Sequence, residues 1–206
     1  MHTERNGEKY LEHYFTNNQN LKSELRDINF SFNEYNFMFK SDNGVFSKNK
    51  IDYASLFLVK TFLANKENSF KNILDVGCGY GFIGITLSKI LDVHVDMCDI
   101  NKRAVHLCKM NIDLNKVDGN VFESNIYENV VNNYDLIITN PPIRAGKEVL
   151  MSFLKNGLAK LNKNGELWFV ISKDQGAKSV KKELEKEKKL QIIDKSKGFW
   201  VFSVKN

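Results

Sequence analysis

At 206 residues and 42% hydrophobic content, the chain is long enough for one good core and fits a single domain with a small extension. Its net charge of +5 is modest, and only four of the 30 basic residues are arginines, so the lysine-rich surface does not by itself argue for a nucleic-acid partner. The three cysteines, Cys78, Cys98 and Cys108, lack metal-ligand spacing, there is no apolar leader, and no run approaches the roughly 20 apolar residues of a bilayer span; a soluble protein of the reducing cytoplasm, without a metal site, is expected.

Near the N-terminus Ile28, Phe30 and Phe32, then Phe37 and Phe39, alternate with polar residues. That period of two predicts a β-hairpin turning near Asn33-Glu34. Gly44-Val45-Phe46-Ser47 follows as a connection, and Ile51 to Leu63 carries helical apolar spacing. Strand and helix then alternate: strands at Ile73 to Val76, Val93 to Ile100, Val121 to Glu123, Tyr134 to Thr139 and Glu166 to Ser172, and helices at Phe82 to Leu91, Lys102 to Leu114 and Gly146 to Leu161. A charged surface helix is expected over 175–189, and Gln191 to Ile193 and Phe199 to Val204 read as two closing strands. Repeated βα units imply a mostly parallel sheet covered by helices on both faces, and the two last strands suggest an antiparallel edge. The division expected is a hairpin extension over 1–50 and an α/β domain over 51–206.

Two motifs carry chemistry. Asp75-Val76-Gly77-Cys78-Gly79-Tyr80-Gly81 links the first strand of the α/β part to a helix, at the carboxyl end of the sheet where such folds bind ligands. Its glycines let backbone approach a ligand closely, and Asp99, ending the next strand, can accept both hydroxyls of a ribose. Gly79 to Gly84 formally satisfies the GxGxxG of a dinucleotide site, with Asp99 about 20 residues on. However, Gly77 already makes the turn after the strand, and Asp75 at the mouth would repel a pyrophosphate. An ammonium-bearing ligand such as S-adenosylmethionine suits that acid better. The second motif holds the chain's only two prolines, in Asn140-Pro141-Pro142-Ile143. Two adjacent prolines stop the preceding strand and fix a rigid turn. The Asn140 side chain and the Pro141 carbonyl are left to grip a planar amino group.

Together these residues resemble the class I S-adenosylmethionine-dependent methyltransferases with an NPP motif. Gly44 to Ser47, Asp75 to Gly84, Asn140 to Lys147 and the late Gly198-Phe199-Trp200-Val201 resemble the ribosomal small-subunit methyltransferase C family, which methylates guanine N2 in 16S rRNA. The resemblance implies a Rossmann-like, seven-stranded, mostly parallel sheet with an antiparallel C-terminal strand. It also implies S-adenosylmethionine as cofactor and 16S rRNA or the small ribosomal subunit as partner. Some members carry a second, non-catalytic copy of the domain, for which 206 residues leave no room. In this reading Asp75 holds the cofactor's amino group, Gly77, Cys78, Gly79 and Gly81 surround it, Asp99 takes the ribose and Ile100 packs on the adenine. Asn125 stands where relatives often place an acid for the adenine amine. Asn140 and Pro141, with Pro142 and Ile143 completing the turn, hold the target amine. Ile143 departs from the aromatic that many relatives stack on an extruded base, so Phe46 becomes the candidate ring. Arg144 and Lys147 are candidates for a nearby phosphate. Other planar amines, adenine N6 or a protein glutamine, and an inactive RNA-binding module are the alternatives.

Overall fold

The computed structural model describes residues 21–185 and 190–206. Strands β1 (Arg26–Phe32) and β2 (Tyr35–Ser41) form the expected antiparallel hairpin. Asn33 adopts φ +50° in its turn, a left-handed conformation that asparagine tolerates well. Ile28, Phe37 and Phe39 point inward, and Phe30 and Phe39 pack edge-on against Phe82 at 5.4 and 5.6 Å. The hairpin therefore shares one hydrophobic core with the α/β part.

The remaining elements are α1 (Tyr53–Asn65), β3 (Ile73–Val76), α2 (Phe82–Leu91), β4 (Val95–Asp99), α3 (Lys102–Asn115), β5 (Gly119–Glu123), β6 (Tyr134–Thr139), α4 (Lys147–Ala159), β7 (Leu161–Ser172), α5 (Ala177–Leu184), β8 (Leu190–Ser196) and β9 (Phe199–Lys205). Seven strands form one sheet in the order β5-β4-β3-β6-β7-β9-β8. Only β9 runs against the others. Along β3, Ile73 faces one core cluster while Leu74 and Val76 face the other, so the central strand is covered on both sides. The order doubles back between β3 and β6, and that switch point opens a crevice at the strands' carboxyl ends.

The expected antiparallel edge is formed by the two last strands, of which β9 inserts between β7 and the border strand β8. The side chains explain this order, because Val201, Phe202 and Val204 are fully buried, whereas β8 reads Leu-Gln-Ile-Ile-Asp-Lys-Ser and suits an exposed border. The charged helix runs only over Ala177–Leu184 within the expected span, of which 186–189 lie outside the described residues.

Two asparagines join the hairpin to α3. Asn111 and Asn115 lie one turn apart on the same face, and each pairs with both backbone groups of one β2 residue. Asn111 accepts from the Lys40 amide at 2.6 Å and donates to its carbonyl at 2.9 Å. Asn115 does the same for Met38 at 3.1 and 2.8 Å. The outer edge of β2 is thus satisfied by side chains that imitate a strand. Asn111 also donates to the Tyr80 carbonyl at 2.8 Å, inside the glycine loop. Asn111→Leu is expected to lower stability by about 2–4 kcal/mol, since it leaves several buried backbone groups unpaired; chemical denaturation of the two proteins checks this.

Candidate active site

β3 ends in the glycine loop, β4 ends in Asp99, and β6 runs into Asn140-Pro141-Pro142. These strands are neighbours in the order β4-β3-β6, so both motifs meet at one rim of the sheet. Gly77, Gly79 and Gly81 have φ of +70°, +57° and +93°, a region side chains rarely adopt. A Cβ on Gly81 would lie 2.6 Å from the Cys108 sulfur, whereas one on Gly79 would meet nothing within 4 Å. The loop is therefore packed against protein on one side and open on the other. The Gly77 and Cys78 amides donate to the Cys98 carbonyl at 2.8 and 3.0 Å, which fixes the loop to the end of β4. The Cys78 side chain turns into the core, so that residue offers the crevice its backbone.

Asp75 is fully buried. Helix α2 begins after Gly81, which has no side chain to cap it. Asp75 does this from the strand, its Oδ2 accepting from the Gly84 amide at 2.9 Å. Gly84 permits the contact, because a Cβ there would come within 2.5 Å of the Met97 sulfur. The other oxygen, Oδ1, is buried without a donor. Burial raises the Asp75 pKa to about 7, the Gly84 amide pulls it down, and the charge of Asp99 raises it further. Asp99 is half-buried and accepts from the Gly79 and Asn101 amides at 2.8 and 2.9 Å. Its surroundings push its carboxyl upward, and its backbone donors only partly offset that.

Among the described residues neither acid meets a lysine or arginine. Two unneutralised acids, an acceptor without a donor and an open glycine face fit a cationic nucleoside cofactor and disfavour a pyrophosphate.

At the second motif, the Thr139 hydroxyl donates to the Val76 carbonyl at 2.7 Å and ties the end of β6 to the end of β3. A 3₁₀ turn, Ile143–Ala145, follows the prolines, closed by the Ala145 amide on the Pro142 carbonyl at 3.0 Å. No such bond engages the Pro141 carbonyl among the described residues. The Asn140 amide group donates to Asp52 Oδ2 at 3.1 Å and to the Ser55 hydroxyl at 2.9 Å. Only the NH₂ end of the asparagine can face a carboxylate. Its side-chain carbonyl oxygen, held in place by the start of α1, accepts no hydrogen bond among the described residues.

Asp52 and Ser55 are partners of Asn140 that sequence reasoning missed. Asp52 is the N-cap of α1, accepting from the Ser55 amide at 2.8 Å and hydroxyl at 3.2 Å. The signal was an aspartate followed three residues later by serine, obscured because the apolar pattern placed the helix start at Ile51. Asn101 was missed as well: its side chain donates to the Gly44 carbonyl at 2.9 Å and holds the Gly44-Val45-Phe46 connection beside the end of β4. In that connection Val45 is buried while Phe46 is 54% exposed.

The other expected residues divide. Ile100 follows Asp99 and is half-buried. Asn125 lies in the turn after β5 and its side-chain amide donates to Glu128 at 3.1 Å, while its side-chain oxygen accepts no hydrogen bond among the described residues. Ile143 packs on the core beneath the proline turn. Lys147 opens α4 and pairs at 3.1 Å with Glu183, a carboxylate it shares with Lys155. The Arg144 side chain lies outside what the structure describes.

This strand order, glycine loop and pair of strand-end acids define a class I methyltransferase. The chain belongs to the methyltransferase small domain family, whose model matches residues 36–203. It is 37% identical over 199 residues to the uncharacterized protein YbxB of Bacillus subtilis, covering 94% of this chain and 98% of that protein. It is 35% identical over 150 residues to the ribosomal RNA small subunit methyltransferase C of Buchnera aphidicola, covering 69% of this chain and 45% of that protein. For the enzyme of that name from Escherichia coli the identity is 29% over 159 residues, covering 73% and 46%. The chain thus spans about half the length of these methyltransferase C relatives. The fold resembles that of the 16S rRNA N2 G1207 methyltransferase of T. thermophilus in complex with AdoMet and guanosine. The TM-score is 0.78 at 21% identity, covering 90% of this chain and 52% of that one.

A cation-binding role for Asp75 makes cofactor affinity pH-dependent. With a pKa of about 7, Asp75 is largely protonated below that pH in the free protein and becomes charged above it. S-adenosylmethionine is expected to bind more tightly as pH rises from 5.5 to about 7, with a proton released on binding, and Asp75→Asn is expected to flatten the profile. The stability of the free protein moves the other way. The unfolded group ionises near 3.8 while the folded one keeps its proton to about 7, so stability falls across that window as pH rises. Calorimetric titration in buffers of different ionisation enthalpy checks the proton release.

Proposed function

We propose that the protein transfers the methyl group of S-adenosylmethionine to the exocyclic N2 amine of a guanine in small-subunit rRNA, acting in the cytoplasm. The observation that carries this reading is the orientation of Asn140. With its NH₂ engaged by Asp52 and Ser55, its carbonyl stands with that of Pro141 as a pair of acceptors beside the acidic glycine cradle. The methyltransferase C relatives support the rRNA substrate, and guanosine in the T. thermophilus complex supports the base.

The cofactor supplies a methyl group already activated by its sulfonium, so the protein's task is to position the nucleophile. A guanine amine shares its lone pair with the ring and is a poor nucleophile. The Asn140 and Pro141 oxygens accept hydrogen bonds from its two N–H groups, hold it in line and favour the sp³ nitrogen that forms as the new bond develops. No strong base is needed beforehand: as the N–C bond forms the sulfur–methyl bond breaks, S-adenosylhomocysteine leaves as a neutral thioether, and the now acidic methylated nitrogen gives its proton to solvent water. To reach the rim the base must leave its stack. Phe46, exposed on a loop tied to β4, offers a ring to receive it, and aromatic stacking is worth roughly 1–3 kcal/mol per base.

Incubation of the protein with labelled S-adenosylmethionine and small ribosomal subunits, or rRNA stripped from them, tests the reading. Label is expected in 16S rRNA as N2-methylguanosine. Label in adenine N6 or in a protein glutamine would replace guanine with that amine, and failure to bind the cofactor would leave an RNA-binding module.

A further inference from the structure

We propose that Asp52 is the residue that selects guanine, its free carboxylate oxygen accepting the N1–H of the base whose exocyclic amine Asn140 and Pro141 hold. This rests on the guanine-N2 reading above and adds a residue that discriminates between purines. Asp52 Oδ2 is engaged three times, by the Asn140 amide at 3.1 Å and by the Ser55 amide and hydroxyl at 2.8 and 3.2 Å. Oδ1 carries no hydrogen bond among the described residues. Asp52 and Asn140 are therefore locked side by side, each with one acceptor oxygen unused.

Guanine presents two adjacent donors on one edge, N1–H and the N2 amine, and two neighbouring acceptors match that pattern. Adenine presents an acceptor at N1, and a carboxylate facing that lone pair repels it. A site built this way rejects the wrong base both by a missing bond and by a repulsive contact. The charge of Asp52 also reaches the glycine loop: after burial, it is the next influence that raises the Tyr80 phenol above its ordinary value. The carboxylate thus touches the methyl-acceptor motif at Asn140 and acts electrostatically on the glycine loop.

The test compares guanosine with 2-aminopurine riboside, which keeps the 2-amino group but has a lone pair at N1. Affinities are measured by ligand-observed NMR in the presence of S-adenosylhomocysteine. The wild-type protein is expected to prefer guanosine by about tenfold or more. In Asp52→Asn, which retains a good helix cap, an amide donor can face N1, and the preference is expected to fall at least tenfold or invert. Asp52→Ser, which also caps, is expected to lose the preference without inverting it. Ser55→Ala keeps the carboxylate and is expected to weaken both nucleosides alike with the ratio intact. An unchanged ratio in the two Asp52 variants, or equal weakening of both nucleosides as a purely positioning role would give, overturns the assignment while leaving guanine methylation standing. A wild-type protein that prefers adenosine to guanosine overturns both.

Discussion

Asn140→Ala is expected to lower kcat by about 10²–10³-fold or more, the usual consequence of deleting a preorganised group at the reacting centre, while cofactor affinity stays within about twofold. The separation follows from placement. Asn140 lies at the end of β6 and contacts Asp52 and Ser55 at the start of α1, whereas the cradle is built from β3, β4 and the glycine loop between β3 and α2. Removing the side chain deletes one of the two acceptors proposed for the target amine and touches none of the cradle's bonds. Single-turnover transfer from labelled cofactor, with calorimetric titration of S-adenosylhomocysteine, measures both quantities. A variant that lost cofactor affinity and turnover in equal measure would contradict the division of roles.

Asp99→Ala is expected to show the opposite emphasis. Its carboxylate accepts the Gly79 and Asn101 amides and is the acid proposed for the ribose hydroxyls. Charge-assisted hydrogen bonds contribute about 1.5–3 kcal/mol each, so cofactor affinity is expected to fall about tenfold to a hundredfold. Turnover at saturating cofactor is expected to change only a few-fold. Because the substitution also frees the Gly79 amide, the melting temperature is recorded alongside. Asp99→Asn keeps one acceptor and is expected to fall between wild type and alanine. Wild-type affinity in Asp99→Ala would remove the ribose from this end of β4.

Much of this architecture was legible because the relevant signals are local. The runs Ile73 to Val76 and Tyr134 to Thr139 are short, apolar and bounded by breakers, and the structure places β3 and β6 over those residues. Helix α2 spans Phe82–Leu91, where the loop Gly77-x-Gly79-x-Gly81 gives way to an apolar run. Both acids and both prolines announced the rim of the sheet, since few packing roles demand such residues at strand ends. What stayed hidden depends on contacts between distant parts of the chain. Nothing near Asn111 or Asn115 shows that their amides complete the edge of a strand over seventy residues earlier. Nothing near Asp52 points to Asn140, 88 positions on. The placement of β9 inside the sheet follows from competition between two strands for burial, a comparison that each segment's own pattern does not make. The partner of Lys147 was equally hidden, because Glu183 arrives from another helix.

Mass spectrometry of 16S rRNA nucleosides and fragments, from cells with and without this protein, is the measurement that bears most directly on guanine-N2 methylation. One N2-methylguanosine is expected to vanish from a defined fragment in its absence, and to return on expression of the wild type but not of Asn140→Ala. An unchanged set of rRNA methylations, or restoration of the mark by Asn140→Ala, would contradict the account.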